Sequence, residues 1–186
     1  MHLPVFPLPI FLLPDGVTRL RIFEPRYLKL VSIACKGQGF ALCTFDPKSE
    51  HNVPKWGVWV DIINFSEEGE LLHIDIKGRS LIEFNNVTMD EEKLRFADCR
   101  EIPHWPQQAL QPIHNQLAEK LKRVYCEYPA QGELYPEPSF DNPNWVCSRF
   151  LEILPLSFEK KQLFIDTNSF PYAEEFLQTM LLENDN

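Results

Sequence analysis

The chain has 186 residues and a formal charge of −9 at pH 7, with 44% hydrophobic and 24% charged residues. That length can bury a real core in one or two small domains. The acidic balance argues against general binding to nucleic-acid phosphates or anionic lipid. The charge is uneven. Residues 1–45 hold Arg19, Arg21, Arg26, Lys29 and Lys36 against Asp15 and Glu24, and a solvated face is the expected reading. From Phe158 onward, Glu159, Asp166, Glu174, Glu175, Glu183 and Asp185 outnumber Lys160 and Lys161.

Residues 3–14 are almost wholly apolar, yet Pro4, Pro7, Pro9 and Pro14 each remove a donor and fix φ, so no helix runs through them. The run is short of the roughly 20 apolar residues that span a bilayer. It also lacks the basic flank and cleavage site of a signal peptide. The expectation is an extended edge strand ending in the Pro14-Asp15-Gly16 turn. Pro25 then sits where a helix starts, with Glu24 at its positive end. Tyr27, Leu30, Val31 and Ala34 follow at helical spacing, and Gly37 and Gly39 stop the helix.

Short strands are predicted from about residue 40 to 102. The runs are Phe40–Phe45, Trp56–Phe65, Leu72–Lys77, Leu81–Val87 and Leu94–Cys99, with a turn at Ser66–Gly69 and a bend or bulge at Gly78-Arg79. Their number and short turns point to a closed or nearly closed barrel. From about residue 107 the period becomes helical. Ile113, Leu117, Leu121, Val124 and Tyr125 form one stripe, and 129–143 reads as a loop. Trp145, Val146, Phe150, Ile153 and Leu154 line a second helix. Ser157 caps a third, through about Asp166, and Asn168 or Ser169 caps a fourth. The expected class is α+β, with domains 1–104 and 105–186.

The chemistry-bearing residues form no recognisable catalytic constellation. His2, His51, His73, His104 and His114 are scattered, with no H-x-x-x-H, and no metal site is expected. His73 falls on the polar face of its strand and reads as a surface histidine. Asp61 and Asp75 are a conceivable carboxylate pair, equally explained by a solvated sheet face. Glu24 and Arg26, two apart at a helix start, are expected to point apart. Cys35, Cys43 and Cys147 lie among apolar residues, as small hydrophobes. Five unpaired cysteines suggest a reducing cytoplasm. Among the four tryptophans, Trp105 is expected to be the partly exposed one.

Phe6-Pro7-Leu8-Pro9, Pro14-Asp15-Gly16, Leu20, Ile22-Phe23-Glu24-Pro25-Arg26-Tyr27 and Gly78-Arg79 together resemble the N-terminal, substrate-binding domain of Lon, the ATP-dependent protease. Trp145…Arg149…Leu154-Pro155-Leu156-Ser157…Lys161-Gln162-Leu163-Phe164 is similar to that family's helical part. The resemblance implies a PUA-like β-barrel of about six strands with one inserted helix, followed by a small C-terminal helical bundle. It implies contact with unfolded or partly folded polypeptides, a Lon-type protease as a partner, and weak homo-oligomerisation. These residues contain no G-x-x-x-x-G-K-[ST] and no Ser-Lys protease domain. The expectation is therefore a stand-alone, non-catalytic module without cofactor. Its peptide-binding residues are taken as Phe6, Leu8, Phe11, Phe23, Arg26, Tyr27 and Trp105. An RNA-binding PUA-like domain and a small enzyme with an unrecognised pocket are the alternatives.

Overall fold

In the computed structural model, which describes residues 1–69 and 71–182, two compact units follow one another, Met1–Pro103 and His104–Asn186. Glu183 and Asp185 of the acidic C-terminal stretch lie outside the described residues. The first unit holds β1 (His2–Pro7), β2 (Val17–Ile22), α1 (Pro25–Ala34), β3 (Phe40–Cys43), β4 (Trp56–Glu68), β5 (Leu71–Met89) and β6 (Arg95–Ile102). The second holds α2 (Pro112–Glu127), α3 (Pro129–Gly132), α4 (Pro143–Ile153), α5 (Phe158–Gln162) and α6 (Phe170–Leu181). The class is mixed α+β, as expected, and no described helix is long and apolar enough to cross a membrane.

The six strands form one sheet in the order β2-β5-β4-β3-β1-β6, and β5 also pairs with β6. Hence β1, β3, β4, β5 and β6 form a closed circuit of ladders, with β2 added beside the first half of β5. The predicted runs 72–77 and 81–87 are one long strand. Its register against β4 shifts where Trp59 faces Ser80 and Val60 faces Gly78, so Arg79 is the extra residue of a bulge. Leu3 and Val5, Ala41 and Cys43, and Ala97 and Cys99 enter one core cluster at period two.

β1 is not the expected edge strand. It lies between β3, parallel, and β6, antiparallel. Its prolines fit because of where their missing donors fall. Met1 exchanges both backbone bonds with Cys99, so odd positions bond β6 and even positions face β3. Pro4 precedes the β3 register, which begins at Val5, and Pro7 lies beyond the β6 register, which ends at Val5. Neither proline interrupts a ladder.

The Pro14-Asp15-Gly16 turn closes through Gly16 N–H to the Leu13 carbonyl, with Asp15 left-handed at φ 63°. Helix α1 buries Tyr27, Leu30, Val31 and Ala34, the predicted stripe. In the second unit, α2 buries Leu117, Leu121 and Tyr125 and also His114. The predicted 129–143 loop contains the short α3, and the third helix ends at Gln162. Ser157 caps that helix, accepting from Lys160 N–H at 3.2 Å. Ser169 stands at the cap position of α6, but its hydroxyl bonds the Asp166 carbonyl instead.

Candidate functional site

β1 and β3 run parallel and end together at Pro7 and Cys43, while β6, antiparallel to β1, begins at Arg95 opposite Val5. One end of the sheet therefore collects Phe6, Pro7 and Leu8 from β1, Phe45 from beyond β3, and Arg95 from β6. Arg21, Phe23, Glu24, Arg26 and Tyr27 arrive where β2 passes into α1. These residues line a pocket of about 250 Å³. Five of the seven residues taken from the sequence meet here: Phe6, Leu8, Phe23, Arg26 and Tyr27.

The floor is aromatic. Phe6 and Tyr27 stack with centroids 3.8 Å apart, and both are buried. The Arg26 guanidinium lies 4.7 Å from the Tyr27 ring centroid, a cation–π arrangement. Burial raises the Tyr27 hydroxyl pKa, opposed by the Arg26 charge. The mouth is also aromatic, but wet: Phe23 is 66% exposed and Phe45 53%. An exposed phenylalanine pair beside a buried one is the kind of apolar patch that marks an interaction site.

Three arginines enter the same pocket. Arg26 pairs with Glu24 at 2.7 Å. That pairing corrects the expectation that the two point apart: Glu24 is extended at φ −79°, ψ 135°, so helical spacing does not govern it. Arg21 Nε–H donates to His73 Nε2 at 3.3 Å, and Arg95 Nε–H to the His51 carbonyl at 2.6 Å. The Arg26 Nε is buried and has no hydrogen-bond partner among the described residues. A second, shallower pocket of about 480 Å³ shares Glu24 and Arg26 and adds Pro25, Glu92 and Lys93.

The other two residues go elsewhere. Phe11 is buried edge-on against Trp56, 6.0 Å between centroids. Trp105 belongs to the second unit, where it is 7% exposed, T-shaped on Phe170, with its indole N–H donating to Ser169 Oγ at 2.9 Å. The expectation of a partly exposed Trp105 is therefore wrong. A stacked His104 and the Phe170 ring cover it. Trp56 and Trp59 are the half-buried tryptophans. Pro7, Arg21, Glu24, Phe45 and Arg95 were missed as pocket residues. Arg21 and Glu24 sit inside the run that named Phe23 and Arg26, while Phe45 and Arg95 arrive only through the β1–β3 and β1–β6 registers.

The remaining candidates resolve into structure. His73 is buried rather than at the surface, because Arg21 of β2 lies across it. Asp61 and Asp75 do not form a pair: Asp61 faces Arg79 and Asp75 faces Arg19. Cys35 is exposed, not apolar packing, whereas burial pushes the Cys43 thiol up to about 12 and the Cys147 thiol to about 12. No cluster of three His, Cys, Asp or Glu residues suited to a metal occurs among the described residues.

An α+β chain with an aromatic, arginine-lined pocket at one end of its sheet has the features of a binding module. The family model for the ATP-dependent protease La (LON) substrate-binding domain matches residues 2–180, and the chain belongs to that family. It is similar to the crystal structure of a Lon N-terminal domain protein from Xanthomonas campestris, at 25% identity and TM-score 0.72, over 96% of this chain and 98% of that one. It shares its fold with the N-terminal domain of a Mycobacterium avium complex Lon protease, at 14% identity and TM-score 0.65, over 96% and 97% of the two chains. No curated protein matches the sequence significantly.

Proposed function

We propose that this protein is a non-catalytic polypeptide-binding module that engages exposed apolar segments of unfolded or partly folded chains. Its proposed site is the pocket lined by Phe6, Leu8, Phe23, Arg26 and Tyr27. The observation that carries the reading is the exposed Phe23 and Phe45 over a buried Phe6–Tyr27 floor, in a chain of the substrate-binding family. Phe11 and Trp105 are left out of the proposed surface because they are packed inside. Strand addition along β1 is not proposed, since β3 and β6 each occupy part of its edges. A Lon-type protease as partner and a reducing, cytoplasmic setting belong to the same proposal. The second is supported by five free thiols.

An NMR titration with an unfolded reporter protein and an apolar peptide library tests the reading. Amide shifts are expected at Leu8, Phe23 and Tyr27. Phe23→Ala, at a largely exposed side chain, should leave the fold intact and weaken binding about 5-fold or more, as loss of an aromatic anchor does. An absence of shift changes at millimolar peptide overturns it.

A further inference from the structure

We infer that the pocket captures the free C-terminal end of a polypeptide, with the last side chain among the aromatics and the terminal carboxylate among the arginines. The inference rests on the polypeptide-binding reading above and names its substrate class.

Charge complementarity carries it first. In a chain of net charge −9, this pocket gathers Arg21, Arg26 and Arg95 against the single carboxylate of Glu24. Glu24 is committed to Arg26. Among the described residues Arg21 and Arg95 pair with no carboxylate: one donates to an imidazole nitrogen and the other to a backbone carbonyl, each through Nε. Neither guanidinium is tied up in an ion pair. A guanidinium carries five N–H donors in a planar fork that matches a carboxylate, so a partner engaged at Nε alone leaves donors for a ligand.

Size carries it second. The pocket is about 250 Å³, below the roughly 300–1,000 Å³ that encloses a drug-sized ligand. It admits about one residue. An internal segment must enter and leave such a space, whereas a chain end need only enter. A terminal residue also brings its side chain and its carboxylate together, matching the side-by-side aromatics and arginines. Exposed Phe23 and Phe45 at the mouth favour a large aliphatic or aromatic last residue.

The test uses a fluorescein-labelled Gly-Ser-Gly-Ser-Leu-Phe peptide in three forms, with fluorescence anisotropy on the full chain. These are the free acid, the C-terminal amide, and an amide with an internal Asp before Leu. The free acid should bind about 10-fold tighter than the amide, the scale of a charge-assisted bond, and the gap should shrink at high salt. Arg21→Gln, at an exposed side chain, should weaken the free acid several-fold and narrow its advantage over the amide. Arg95→Lys should act in the same direction while keeping a donor for the His51 carbonyl. Equal binding of acid and amide overturns the C-terminal assignment and leaves the polypeptide-binding reading standing. So does an Asp-containing amide that matches the acid, since the carboxylate is then an internal side chain. Failure of all three peptides, with no NMR shift from unfolded protein, overturns both.

Discussion

Arg19 holds Asp75 through two N–H donors, at 2.6 and 2.9 Å, and Asn64 adds a third at 3.1 Å. The Arg19 bond is the main reason the Asp75 pKa is lowered, against the raising effect of burial. The stabilisation is therefore present above the unfolded carboxylate value of roughly 3.9 and is lost as pH falls through the lower folded value. Arg19→Ala leaves a nearly buried carboxylate with Asn64 alone. It should cost about 1–3 kcal/mol in urea denaturation near pH 7 and raise the Asp75 pKa measured by NMR. The alternation of Leu72–Lys77 placed His73 and Asp75 on one face correctly. Their burial was not legible, because it depends on Arg19 and Arg21 lying opposite them on β2. His104 has the same sign of pH dependence, from a different cause. Its Nε2 meets the Phe164 carbonyl at 3.2 Å, which can only accept, so Nε2 carries the proton. Burial, chiefly, pushes its pKa from 6.5 down to about 4. The unfolded chain then binds the extra proton between those values, so stability falls as pH drops from 6.5 to 4, by on the order of 3 kcal/mol. His104→Gln, which keeps a donor for Phe164, should flatten that slope.

Helix α1 was legible almost to the residue, since Pro25, the four buried apolar positions and the two glycines are all local signals. Its terminator separates two kinds of glycine. Gly37 has φ +101°, with nothing within 4 Å of a Cβ. Gly39 has φ +63°, and a Cβ there would stand 2.1 Å from the Val60 carbonyl oxygen. Gly37→Ala should therefore cost only the backbone strain, about 1–2 kcal/mol. Gly39→Ala must also push β4 away and should cost roughly 3 kcal/mol or more. Equal thermal shifts for the two variants would contradict the steric argument. In the second unit, the Asn142 side chain accepts from Asn144 and Trp145 N–H at 3.0 and 3.3 Å. Asn142→Ala should cost about 1 kcal/mol, read from tryptophan fluorescence on urea unfolding. The interior place of β1 was not legible. Proline content predicts an edge, and only the offsets of its two neighbouring ladders show why no donor is missed.

For the whole chain, the class and the barrel-like pairing were legible from many short strands followed by helical periods. The pocket was legible only where its residues share one stretch of sequence. The same chain-wide view sets its response to acid. Lowering the pH from 7 toward the isoelectric point near 5.0 neutralises the −9 charge and relieves self-repulsion, which favours the fold. Protonation of half-buried His104 over the same range opposes the fold. Salt separates the two, because it screens surface repulsion but not the desolvation of a half-buried imidazole. At high salt, stability should fall steadily from pH 6.5 to 4, and His104→Gln should abolish most of that fall. Below pH 4 a second decline should follow. There Asp75 loses Arg19, Asp90 loses Lys29, Asp98 loses Asn86 and Glu119 loses Lys122, partners that all hold those acids below their ordinary pKa. Salt should weaken this lower limb, since Asp98 and Glu119 are solvent-facing and Asp90 is partly exposed. Urea midpoints across pH at two salt concentrations measure both limbs. A single acid transition, identical in wild type and His104→Gln, would show that the surface carboxylates alone govern acid unfolding.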